Sequence, residues 1–276
     1  MNKALHTLLG LICGALCLSC VSCSGCSGDG IAKLVTNIEE NGISLGNDGQ
    51  GVGAGFLEAF SGDSVFSKEF ALASSFTHIE SNCPSALIVE QGAQNKLRVE
   101  CLDSSALEQL SAEVRGGTLH INYSGRFVKG SPRLRFVLQS TQPITHIHSE
   151  RALSLRMHKF AGQQMLSLDL EGASYTELCE LDSLRSLDLE GEGASKFLLR
   201  GTVDSLRVNM SGAGSLEAKE LSGRYAFIKG EGAVSATVGP VAELVYELSG
   251  AASLKYSEVS RVTSQKSEGA VSIKTY

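Results

Sequence analysis

The feature that most constrains this chain is a short glycine phrase that returns at nearly even intervals through its C-terminal third. It reads EGAS at 171–174 and 192–195, SGAGS at 211–215, EGAVS at 231–235, SGAAS at 249–253 and EGAVS at 268–272. The glycines are Gly172, Gly193, Gly212, Gly232, Gly250 and Gly269, spaced by 21, 19, 20, 18 and 19 residues. An earlier phrase, SERALS at 149–154, keeps the beat with Arg151 in the glycine's place, 21 residues before Gly172. A period of about twenty residues is that of a solenoid, in which a repeat too small to bury its own apolar face buries it on its neighbours.

Before each glycine the residues alternate as a half-buried strand does. Leu168 and Leu170 fall on one face, Asp169 and Glu171 on the other; Leu187 and Leu189, then Leu206, Val208 and Met210, repeat the arrangement. A glycine at constant phase marks a corner that needs a positive φ or a close backbone approach. The alanine after it (173, 194, 213, 233, 251, 270) is expected inside that corner, and Ser215, Ser235, Ser253 and Ser272 are expected to stack internally and share hydroxyl hydrogen bonds. No asparagine ladder or helical stretch follows each strand, which argues against a leucine-rich repeat. The expected class is all-β, a β-helix-like solenoid with coils of about 18–21 residues. Thr263, Gln265 and Ser267 stand where earlier coils are apolar, as a polar cap on the last coil would.

The start of the chain is an address. Lys3 precedes an apolar run from Ala4 to Leu18, too short for a membrane span and of the length of a secretory signal. Cysteines at 13, 17, 20, 23 and 26 follow or end it, and the C-x2-C-x2-C at 20–26 has metal-ligand spacing but no second ligand group nearby. The run into CLSC and CVSC resembles a bacterial lipoprotein signal, whose cleavage leaves an acylated N-terminal cysteine. Cys20 is the expected lipidation site and Cys23 the alternative. Residues 1–19 then form the signal peptide, 20–61 a flexible tether rich in Gly, Ser, Asn and Asp, and 62–276 the folded domain.

Within that domain the first half is less periodic. SSALEQLSAEVRGG carries Leu107, Leu110 and Val114 as one amphipathic turn or short helix, between strand-like runs that read as opening coils of the solenoid. FTHI at 76–79, ALIVEQG at 86–92, KLRVE at 96–100, GGTLHI at 116–121 and the serial glycine-alanine phrases together resemble the putative autotransporter adhesin, head GIN domain family. The resemblance covers about 65–276. It implies a right-handed β-helix-like fold on a secreted or lipid-anchored protein of Gram-negative bacteria, with adhesion as the role and no catalytic residues to carry over.

Outward positions of stacked coils form ladders. Three residues before the corner stand His148, Asp169, Asp188 and Asn209; one residue before it stand Glu150, Glu171 and Glu190, counting the third coil from Gly191. Glu150, Asp169, Glu171, Asp188 and Glu190 are therefore expected to share one acidic strip, which binds a hard cation such as Ca²⁺, meets a basic partner, or is simply solvated. His146 and His148 share a strand face, but no carboxylate or cysteine triad accompanies them, and no metal or cofactor is expected. Cys83 and Cys101 are either a disulfide or two buried thiols. A net charge of −6 with no basic run argues against nucleic acid. Tryptophan is absent and aromatic residues are only 6%, which disfavours the sugar platforms of a glycan-processing β-helix enzyme. The expected function is non-catalytic binding or adhesion at the cell envelope, the outer membrane or periplasm, through a lipid anchor and an unidentified protein or glycan ligand. A structural envelope role is the alternative.

Overall fold

A computed structural model describes residues 43–44, 51–60, 65–125 and 133–276 of the 276. The expected signal peptide, Cys20 and Cys23 lie outside the described residues. Two short strands, β1 (Ile43–Ser44) and β2 (Gly51–Val52), pair antiparallel and lead into a single helical turn, α1 (Ala54–Leu57). The remaining elements are β3 (Phe66–Ala71), β4 (His78–Ser81), β5 (Ser85–Gln91), β6 (Lys96–Cys101), α2 (Ser104–Glu108), β7 (Leu110–Arg115), β8 (Thr118–Tyr123), β9 (Arg135–Ser140), β10 (His146–Ser149), β11 (Leu153–Met157), β12 (Met165–Val238), β13 (Val241–Tyr256) and β14 (Arg261–Thr275).

The strands wind into a β-solenoid. One wall stacks β8, β4, β10 and the start of β12 in parallel register, His78 beside His146 and His146 beside Ser167. The adjoining wall stacks β9, β5, β11 and the next stretch of β12, Leu153 beside Ser174. The coil length is 21 residues at β10–β12 and 18 to 19 from β12 through β13 to β14, as His146↔Ser167, Gly223↔Val241 and Val245↔Ser264 show. Leucine, valine, isoleucine, methionine and phenylalanine from every coil join one continuous core.

Glycine explains why β12 runs unbroken for 74 residues. The six corner glycines all have φ between +86° and +110°, and from Gly193 onward each sits against the carbonyl of the corner glycine one coil below. Any β-carbon would strike that carbonyl. Earlier coils, which lack the glycine, turn differently. There β10 stops at Ser149, whose buried hydroxyl donates to the Arg151 carbonyl at 3.2 Å, and β11 resumes at Leu153. Ser81 does the same below it, donating to the Cys83 carbonyl at 3.4 Å. A serine side chain thus satisfies the bend that glycine makes with backbone alone.

The elements β6, α2, β7, β8 and β9 are not opening coils laid in sequence order. After β4 and β5 the chain folds back beneath them, and β8 and β9 become the layer under β4 and β5. Antiparallel β7 on β8 and β6 with β3 on β9 then close that end, covering strand edges that would otherwise template association. The expected helix shrinks to α2, capped by Asp103. Leu110 and Val114 lie instead on β7, because Gly116 and Gly117, both at positive φ, form the two-residue hairpin loop that turns β7 onto β8. Residues 53–60, within the stretch read as tether, pack on the outer face of β5 and β11. Leu57 is buried with Ala86 and Ile88, Arg135 Nε donates to the Leu57 carbonyl at 3.0 Å, and Arg133 stacks over Phe56 and Phe60.

Two inward assignments shift by one residue. Alternation around the corner buries the second, fourth and sixth residues after the glycine: Ser174, Thr176 and Leu178, then Val234, Ala236 and Val238. The first and third face outward. Ala173 is nonetheless buried, against Ala152 and Tyr175, while Ala194, Ala213, Ala233 and Ala251 are half-buried and Ala270 is exposed. Of the serines expected inside, Ser215 is buried, Ser235 and Ser253 are half-buried and Ser272 is exposed, because SGAGS, EGAVS and SGAAS carry one residue more than EGAS before the serine. Ser174 and Ser195 are the inward ones, and their hydroxyls have no hydrogen-bond partner. At the far end, Thr263 is the extra residue of a bulge between Leu244 and Val245, which leaves Val262 in the apolar column. Gln265 and Ser267 hold the polar positions, and Gln265 accepts a 2.7 Å bond from the Tyr246 hydroxyl.

Candidate binding face

The wall before the corner carries the strip, and its register decides which acids share a column. SLDLEG occurs at 167–172 and again at 186–191, so like residues invite alignment on Gly191. The structure makes Gly193 the corner: it has φ +95°, and a β-carbon there would sit 2.5 Å from the Gly172 carbonyl oxygen. Gly191 instead points inward, where a β-carbon would meet Ser195 Oγ at 2.6 Å and Phe197 at 3.1 Å. The two extra residues preserve which side chains face in, and slide the acids by one place along the outer face.

The outward column three residues before the corner therefore runs His120, Glu80, His148, Asp169, Glu190, Asn209, Lys229, Glu247 and Lys266. It is mixed in charge. His148 Nδ1 lies 2.9 Å from Asp169 Oδ2, and His120 Nδ1 lies 3.0 Å from Glu80 Oε2. Asp188 belongs two residues further back, paired with Arg207 at 3.4 Å. The column one residue before the corner holds Glu171, Glu192, Ser211, Glu231, Ser249 and Glu268, with Glu150 ahead of Arg151. Glu150, Glu171, Glu190 and Glu192 form the exposed acidic part of the face. Farther along, Lys229 reaches Glu231 at 2.8 Å, so the last coils are charge-balanced.

The five acids expected on one strip are thus on one face but in three columns. Glu192 and Glu80 belong to that face and are absent from the sequence-based set. Glu192 was legible as the residue before Gly193, once Gly193 and not Gly191 is taken as the corner. Glu80 was not legible, because the 68-residue step from β4 to β10 follows no repeat. Among the described residues, no group of three or more His, Cys, Asp or Glu side chains gathers around one point.

Among the described residues the cysteines stand as free thiols, with Cys83 and Cys101 buried and Cys179 half-buried. Burial pushes the Cys83 and Cys101 thiols up, so they stay neutral and behave as small apolar side chains. Tyr175, outward between the strap at 53–60 and the acids, is pushed up to about 12 by burial and by the nearby Glu177 carboxylate.

Comparison with known proteins places this fold among proteins described as adhesins. A profile described as "Putative auto-transporter adhesin, head GIN domain" matches residues 75–258. Solved structures of putative adhesins from Bacteroides fragilis and Parabacteroides merdae superpose with TM-scores of 0.64 and 0.61 at 15% and 13% identity. They cover 78% and 77% of this chain and 98% and 96% of theirs. A structure described as a putative lipid binding protein from Parabacteroides distasonis gives 0.58 at 17% identity, over 77% of this chain and 97% of that one. At such identities the likeness is one of fold. Comparison with curated proteins finds no match.

Proposed function

The chain belongs to the putative auto-transporter adhesin, head GIN domain family, and from that premise we propose that it is a non-catalytic binding module of the bacterial cell envelope, held to the membrane by an N-terminal lipid. The observation that carries the binding role is the outward wall of stacked parallel strands. Stacked parallel strands set side chains about 4.8 Å apart in rows, and here Glu150, Glu171, Glu190 and Glu192 form its exposed acidic part. Such a surface recognises a partner with a complementary basic patch, by many weak contacts over an extended area.

Replacing Glu150, Glu171, Glu190 and Glu192 by glutamine is expected to leave the melting temperature near wild type and to reduce adhesion. Wild-type adhesion should also weaken as salt is raised above about 0.15 M, where the screening length falls below about 8 Å. Calcium is expected to leave the melting temperature unchanged, since it needs several oxygen ligands and among the described residues no three carboxylates gather on this wall. Adhesion indifferent to both salt and the four substitutions would leave the wall a solvated surface and end the proposal.

The anchor rests on the apolar run ending at the cysteines. Labelling of growing cells with a fatty-acid analogue is expected to mark the wild-type protein and to lose the mark in Cys20→Ala. If Cys23→Ala alone loses the label, the acylated residue is Cys23; if neither substitution removes it, lipidation at this site is wrong.

A further inference from the structure

Four of the six histidines in the chain meet on one patch of the outward wall, although they come from three strands up to 70 residues apart. Thr118 and His120 lie on β8, His78 and Glu80 on β4, His146 and His148 on β10, and Ser167 and Asp169 on β12, in two parallel columns. The imidazoles of His78 and His146 are direct neighbours across β4 and β10, with ring centroids 5.7 Å apart and planes inclined by 50°.

We propose that His78 and His146 form a two-histidine site for a borderline divalent transition metal, zinc above all, with water completing the coordination. Two imidazoles on one tetrahedral zinc, each with a Zn–N bond of about 2.0–2.1 Å, hold their ring centroids about 5 Å apart. The observed separation is within reach of small side-chain rotations. Imidazoles that bind metal through one nitrogen commonly have the other nitrogen held by an oxygen. His78 Nδ1 lies 3.0 Å from Thr77 Oγ1, so Nε2 is the nitrogen offered to a metal.

The surroundings suit a cation. His148, two residues from His146 on the same face, has Nδ1 against Asp169, and His120 has Nδ1 against Glu80. The two carboxylates supply negative charge beside the pair without occupying it. Burial and the adjacent His78 imidazole hold His146 below its usual pKa, which favours the neutral ring that a metal needs. Hard cations prefer oxygen ligands, so nitrogen donors select zinc and its transition-metal neighbours over calcium or magnesium.

The test is a zinc titration of the full chain, followed by the NMR signals of the histidine rings. The His78 and His146 signals are expected to move together and saturate at one zinc per chain. His158, which sits apart beside Glu180 at 3.5 Å, should not follow them. His78→Gln and His146→Gln are each expected to weaken binding at this site at least tenfold and to abolish the zinc-dependent rise in melting temperature. Metal-free melting should be unchanged in both, because His78 is exposed and His146 only half-buried. Zinc taken up by the N-terminal cysteines would leave the imidazole signals still, and that result would overturn the site. So would unchanged zinc binding in both glutamine variants.

Discussion

Alanine at Gly193 is expected to destabilise the domain far more than alanine at Gly172, one coil away in the same column. The two glycines share the backbone conformation, φ +95° and +86°. An L-residue held at such a φ costs about 1–2 kcal/mol. At Gly172 that is the whole penalty, because the nearest atoms to an added β-carbon are backbone atoms of Arg151 and Ala152 at 3.9 Å. At Gly193 the β-carbon would also lie 2.5 Å from the Gly172 carbonyl oxygen. Backbone on both sides has to move apart, which adds about 1–3 kcal/mol of overpacking. For a domain of this size each kcal/mol lowers the melting temperature by about 2–4 °C. Thermal melting of the two variants should therefore separate them by several degrees. Equal losses would mean that the coils do not stack glycine on glycine.

The second large effect is a contrast of parity. Val234→Glu is expected to unfold or severely destabilise the protein, while Ala213→Glu is nearly silent. Val234 is fully buried, the second residue after its corner, and would carry a carboxylate into a core of leucine and isoleucine with no cation to meet it. Burying an unpaired charge costs at least about 3 kcal/mol even after local rearrangement. Ala213 is the first residue after its corner and points outward, where a surface substitution stays within about 0.5 kcal/mol. Chemical denaturation of both variants decides it, and similar midpoints would refute the inward and outward assignment of the strand after the corner.

The interior at four of the six corners follows a packing rule that repeats without repeating residues. The inward residues two before and two after the glycine share one space. Leu170 faces Ser174, Met210 faces Gly214, Gly230 faces Val234 and Leu248 faces Ala252, large against small in either order. A β-carbon on Gly214 would lie 2.9 Å from Met210, and one on Gly230 would lie 3.0 Å from Val234. The exchange of large and small across the corner keeps the volume constant. The Gly193 corner departs from this, with Gly191 and Ser195 both small, and there the Phe197 ring lies 3.1 Å from where a β-carbon on Gly191 would sit.

What the sequence determined by itself was the periodic part: the class of fold, the coil length, the six glycine corners and the alternation of the strands before them. Those are local consequences of glycine's missing β-carbon and of a two-residue strand period, and both are written at constant spacing. Tertiary structure decided whatever depends on which coil lies on which. The duplicate SLDLEG favoured the wrong neighbour, because identity along the chain says nothing of a two-residue slide that keeps the same faces buried. After the corner, one inserted residue in EGAVS reversed the side on which its serine falls, and only continuous burial reveals it. The fold-back of β6 to β9 beneath β4 and β5 has no period at all, since an end cap must break the repeat in order to cover its edge. That same step sets His78 of β4 beside His146 of β10, 68 residues later. No spacing rule could have brought them together, because their proximity is a property of the stack and not of either strand.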